Sequence, residues 1–76
     1  MKLATTTRVA RNFIRNYGKK AFRMLLTAFE NQESGQVIAD QLGVSRERVR
    51  QWRNTFGQTV SVYRVHADVE ALRQKR

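Results

Sequence analysis

The chain contains no cysteine and no proline, one histidine, and six acidic residues against fifteen lysines and arginines. Without cysteine there is no disulfide and no thiolate metal site, which fits a cytoplasmic setting without requiring one. Without proline nothing interrupts a helical backbone, so a mainly helical chain is expected. No run approaches the roughly 18 apolar residues that identify a membrane helix. Met1-Lys2-Leu3-Ala4-Thr5-Thr6 leads into Arg8 and Arg11 with no apolar stretch, so no secretory leader is expected. The inventory for catalysis is also thin. His66 has no cysteine near it and its nearest acid is Asp68. No carboxylate pair sits in an apolar setting that would split its pKa values, no glycine-rich loop is present to cradle phosphate, and a metal would lack ligands. We therefore expect no enzyme, no cofactor and no metal.

What the chain has in excess is positive charge, a formal +9 with a sequence pI near 11.4. Clustered basic residues at such a pI are the electrostatic footprint of a nucleic-acid partner. The most informative stretch is residues 35–54, GQVIADQLGVSRERVRQWRN. Ile38, Ala39 and Leu42 fall on one face of a short helix that Ser34 can cap. Gly43 can take positive φ and stop that helix. Val44 plugs the turn, Ser45 is a strong N-cap, and Val49, Trp52 and Phe56 form the inner arc of a second helix at about 100° per residue. Ala39 is small where two helices cross. This is the spacing of a helix-turn-helix, extending over 35–56, the unit that lays its second helix in the DNA major groove.

The outer arc of that second helix carries Glu47, Arg50, Gln51 and Asn54, with Arg46 at its edge and Arg48 and Arg53 on the flanks. An ordinary solvated face would mix lysine and glutamate. Arginine's planar fork matches guanine O6 and N7, while glutamine and asparagine match adenine. Arg46, Glu47, Arg50, Gln51 and Asn54 are therefore the candidate base readers, and Gln36, Ser45, Arg48 and Arg53 the candidate phosphate contacts. Glu47 has two readings, since it can accept from cytosine N4 or sit at the helix N-terminus holding Arg50 or Arg46. Gln36 can bond phosphate together with the backbone N–H groups that open its helix.

The run Leu42-Gly43-Val44-Ser45-Arg46-Glu47-Arg48-Val49-Arg50-Gln51-Trp52 resembles the recognition segment in the fourth region of bacterial primary sigma factors, which reads LGV(T/S)RERVRQI. The resemblance covers about a quarter of the chain and implies promoter contact by Arg46, Glu47, Arg50 and Gln51. Trp52 replaces the family's aliphatic residue, and Asn54-Thr55-Phe56-Gly57 replaces its Ala/Leu/Lys-rich continuation. The framework of Ala39, Gly43 and Val49 is similar to that of small phage-repressor-type helix-turn-helix regulators.

Elsewhere, Thr7 can cap a first helix over roughly 8–17 that Gly18 ends, and a second, roughly 19–31, puts Phe22, Leu25, Leu26 and Phe29 on one apolar face. Arg8, Arg11, Arg15 and Lys19 recur every three or four residues, as a phosphate-facing stripe or as a solvated face. Thr59-Val60-Ser61-Val62-Tyr63-Arg64-Val65 is β-branched and roughly alternating, a single strand or an extended arm packed by Val60, Val62 and Tyr63. Residues 3–7 or the same strand of a second subunit would have to pair it, and a winged arrangement would need a hairpin where only one strand is legible. Ala67-Asp68-Val69-Glu70-Ala71-Leu72 can form a last helix before the basic residues Arg73, Lys75 and Arg76, which read as a loose charged end rather than as an arm reaching into the groove.

The expected fold is thus one mainly α domain over 1–76, a compact helical domain of four to five helices around a helix-turn-helix, with one C-terminal strand in a segment, 58–76, that serves dimerisation. The expected function is a sequence-specific double-stranded DNA-binding transcriptional regulator, a repressor of phage or bacterial type. It would act as a cytoplasmic, nucleoid-associated homodimer without a membrane partner. The alternatives are a sigma-like module docking on RNA polymerase or an anti-sigma partner, and an RNA-binding protein.

Overall fold

A computed structural model describes residues 2–59 and 61–74 as five helices and a two-stranded antiparallel sheet. The elements are α1 (Lys2–Tyr17), α2 (Lys19–Glu30), α3 (Gly35–Leu42), α4 (Arg46–Phe56), β1 (Gly57–Thr59), β2 (Tyr63–Val65) and α5 (Ala67–Gln74). The mainly helical class expected from the sequence is the one observed. Among the described residues no helix is long and apolar enough to cross a membrane.

Helical periodicity places the core. Phe22, Leu25, Leu26 and Phe29 on α2 are all buried, and α1 contributes Ala10 and Phe13. Val49, Trp52 and Phe56 close it from α4. Phe13 is the hinge of this packing. Its ring meets Trp52 edge-on at 4.8 Å between centroids and lies 5.9 Å from Phe22, while Phe22 meets Phe56 edge-on at 5.7 Å. Such T-shaped pairs set the positive ring edge against the negative ring face, so three helices are registered by one aromatic cluster.

The first helix begins earlier than its threonines suggest. Thr5, Thr6 and Thr7 are weak helix formers, and Thr7 was the expected cap, yet it lies inside α1. Thr6, Ala10 and Phe13 are buried at helical spacing along α1, and α1 packs on α5. Burial of that face outweighs the weak local preference. Residues 3–7 are therefore helical and cannot serve as a strand. Gly18, at φ 95°, separates α1 from α2, so Lys19 belongs to the second helix and the basic stripe on α1 ends at Arg15.

The single strand expected over 59–65 is also corrected. The chain forms a hairpin in which Gly57 faces Val65, Gln58 faces Arg64 and Thr59 faces Tyr63, with Ser61 and Val62 in the bend. Val60 lies outside the described residues. The hairpin depends on Gly57 having no side chain, because a Cβ there would stand 2.2 Å from the Arg64 carbonyl oxygen and 2.8 Å from the Tyr63 ring. Tyr63 anchors it from below. Its ring packs 5.2 Å from Phe29 and its hydroxyl donates to the Arg53 carbonyl at 2.6 Å. Burial pushes the Tyr63 phenol well above its ordinary pKa, against the opposing pull of nearby Arg53.

Arg73 is likewise no loose end. Its guanidinium pairs with Glu30 at 2.8 Å and with Glu70, and its side chain is only 19 % exposed. Packing of α5 on α2 brings Glu30 to it, while Glu70 lies one turn back on the same helix. Lys75 and Arg76 lie outside the described residues.

Candidate nucleic-acid interface

Local chemistry builds the helix-turn-helix. Ser34 Oγ accepts from the Gln36 N–H and Ser45 Oγ from the Arg48 N–H, each at 3.1 Å, so both helices are capped as their serines predict. Gly43 takes the left-handed conformation, φ 70°, and the N–H of Val44 returns to the Ala39 carbonyl at 3.0 Å. Ile38 and Ala39 are buried against α4, and Leu42 and Val44 pack at the core's edge.

With Val49, Trp52 and Phe56 inward, α4 presents Arg46, Glu47, Arg50, Gln51 and Asn54 as exposed side chains. Glu47 and Arg50 are joined in the free protein. Arg50 donates through Nε to one carboxylate oxygen at 3.1 Å and through a terminal nitrogen to the other at 2.7 Å. This bond holds the Glu47 carboxyl below the usual carboxylate range and raises the Arg50 guanidinium. Of the two readings of Glu47, the one in which it holds Arg50 is the geometry present.

Two clefts flank α4. One, of about 440 Å³, opens towards the start of α3 and is lined by Ser34, Gly35 and Gln36 together with Arg46, Glu47, Arg50 and Arg53. Within it the Gln36 amide donates one hydrogen to Asp40 at 2.9 Å and the Gln36 backbone N–H is taken by Ser34, so two of its three N–H donors are already engaged. Arg53 is half-buried, lies 5.3 Å over the Phe29 ring and donates to the Glu33 carbonyl at 2.9 Å. It ties α4 to the turn before α3, a role the sequence did not disclose because Glu33 is 20 residues away.

The other cleft, of about 400 Å³, opens towards α1 and joins Arg48 and Gln51 to Asn12, Asn16 and Tyr17. Arg48 lies 5.9 Å over the Trp52 ring, which meets Tyr17 edge-on at 5.7 Å. Arg48 thus shares its surroundings with α1, and Arg53 with α3. Asn54 lines neither cleft and stands on the outward face. Sequence reasoning missed Asn12 and Asn16. Their one local signal is a spacing of four on a helix, which became meaningful only when Phe13 docked α1 on Trp52.

Comparison with known proteins places nothing beside this chain: it matches no family model, no curated protein and no solved structure.

Proposed function

We propose that the protein is a sequence-specific double-stranded DNA-binding regulator that inserts α4 in the major groove, with Arg46, Glu47, Arg50, Gln51 and Asn54 towards the bases. The observation that carries this reading is α4 itself. It is an exposed ridge with side chains suited to base reading on its crest, a cleft lined by Arg46, Arg50 and Arg53 on one flank and a cleft edged by Arg48, Asn12 and Asn16 on the other, on a chain of charge +9. A helix about 10–12 Å across fits a major groove about 12 Å wide. Occupying a site that polymerase needs would make such a protein a repressor.

A module of this size buries only about 600–1,000 Å² on DNA, too little for strong specificity, and this is the support for a homodimer on two half-sites. The hairpin removes the other support. The segment after α4 finds its strand partner within the chain.

The test is selection of bound sites from random duplex DNA at stated salt, followed by Arg50→Ala. Loss of a bidentate base contact should cost about 1–3 kcal/mol and relax preference at one position. Equal weakening on the selected site and on random duplex would make Arg50 a phosphate holder.

A second reading has one observation in its favour. Between α2 and α3 lies an apolar cleft lined by Ala21, Leu25, Ala28, Ile38, Leu42 and Met24, the last 58 % exposed. A module that docks on polymerase or an anti-sigma protein would use such a surface, and Met24→Lys would then abolish docking while leaving DNA affinity intact. An RNA reading wants exposed rings for stacking, and among the described residues Tyr17 is the one exposed aromatic side chain.

A further inference from the structure

The geometry points to α1 as the second phosphate wall of this interface, with Asn12, Asn16 and Arg15 holding the DNA strand opposite to the one that passes the start of α3. The inference rests on the proposal that α4 enters the major groove, and it adds a surface that proposal does not use.

At roughly 100° per residue, Arg46, Arg50 and Arg53 lie about half a turn around α4 from Arg48, Gln51 and Thr55. The first group lines the cleft towards α3 and the second the cleft towards α1. The two clefts therefore stand on opposite sides of the crest that carries Glu47 and Asn54. A helix in the major groove has one strand's backbone on each side of it, because those backbones are the walls of the groove. Whichever strand runs past the α3 side, the other must run past α1.

What α1 offers there suits a phosphate. Asn12 and Asn16, both exposed, stand on the cleft edge beside Arg48, and each amide brings two N–H donors. One row further out on the same helical face come Arg15 and Arg8, also exposed. Among the described residues neither arginine has an acidic partner. The reason is compositional: the first acid in the chain is Glu30, with seven of the fifteen basic residues before it. A face kept merely for solubility intersperses both signs. This one is purely positive, borders the cleft, and is rigidly placed, since Phe13 behind it packs on both Trp52 and Phe56. Phosphate contacts of this kind fix orientation and register without reading bases. They explain how Arg48, on the flank away from α3, has a neighbour on DNA.

Because the chain has no cysteine, the test can use single-cysteine variants with a tethered iron chelate. Asn16→Cys and Gln36→Cys change exposed positions on α1 and α3, and each labelled protein is bound to a duplex recovered by selection. The expected result is cutting on opposite strands along the two walls of one major groove. Alongside it, Arg15→Gln should make log K against log salt shallower by about 0.9, the value of one phosphate contact. Arg23→Gln, which removes the same charge beside the α2–α3 cleft, should leave the slope as it was. Cutting from the Gln36 position alone, or an unchanged slope for Arg15→Gln, overturns the α1 contact and leaves the α4 reading standing. If selection recovers no duplex at all, the DNA reading fails and α1's role with it.

Discussion

The helix-turn-helix over 35–56 and the segment over 57–74 are similar in length, joined without a linker, and held together by different means. In the first, the decisive bonds are short in sequence: Ser34 to Gln36, Ser45 to Arg48, Val44 to Ala39. In the second they are long: Tyr63 to Arg53, His66 N–H to the Phe56 carbonyl at 2.8 Å, and Arg73 to Glu30, 43 residues away. A locally bonded unit carries its instructions in a few adjacent residues. A unit bonded at a distance shows them only after the rest of the chain has folded.

The comparison breaks most completely at Trp52, which belongs to the helix-turn-helix but packs on α1. Trp52→Ala should destabilise the protein by about 3–5 kcal/mol, the usual cost of truncating a large buried aromatic, out of the roughly 5–15 kcal/mol typical of folded domains. Chemical denaturation monitored by circular dichroism measures this directly. A variant that kept its midpoint would mean that local bonds suffice for the first region.

Gly57 is the corresponding point for the second region. Gly57→Ala forces a Cβ against the Arg64 carbonyl and should cost about 1–3 kcal/mol, as overpacking does. Hydrogen exchange should locate the loss: amides of β2 lose protection while those of α4's first turns keep theirs. Uniform loss would show that the two regions unfold as one.

Ser45→Ala reverses that test. Removing an N-cap costs about 1 kcal/mol, and here the effect should begin at the Arg48 amide and leave the hairpin untouched. Ser45→Asn, which also caps, should restore most of the stability.

The smallest effect is a pH dependence at the ion pair that ties α5 to the end of α2. The Arg73 guanidinium beside Glu30 holds its carboxyl below the ordinary range. A depressed carboxylate pKa stabilises the fold above the unfolded value, about 4.3, and that contribution disappears as pH falls through the folded value. The pair is partly solvated, so the gain is under about 1 kcal/mol. Glu30→Gln should therefore flatten the acid limb of a stability–pH curve below about pH 4.5. A limb of unchanged slope would mean that Glu30 is not its source.

The parts of the site legible in the sequence are those built on α4. The outward set of Arg46, Glu47, Arg50, Gln51 and Asn54 follows from periodicity alone once Val49, Trp52 and Phe56 are assigned to the core. The neighbours of the flanking arginines were not legible, because Glu33, Phe29, Asn12 and Asn16 reach α4 from other helices. The bond from Gln36 to Asp40 is different in kind: an i,i+4 pair on one helix is a local signal that sequence reasoning passed over.

By itself, then, the sequence determined the helical class, the apolar faces of α2 and α4, both serine caps and the left-handed turn at Gly43, because each depends on residues within a turn or two of one another. Tertiary structure alone decided the early start of α1, where a buried face overrode three threonines. It decided the hairpin, where Gly57 and Tyr63 must meet across a bend and dock on Phe29, and it made an anchor of Arg73. It also turned Arg48 and Arg53 towards different helices. Gly57 and Tyr63, six residues apart, meet across a bend, but the other decisive partners, Phe29 and Arg53 for Tyr63, Glu30 for Arg73 and Glu33 for Arg53, lie ten or more residues away, and sequence periodicity carries no information at that range about which side chain will arrive.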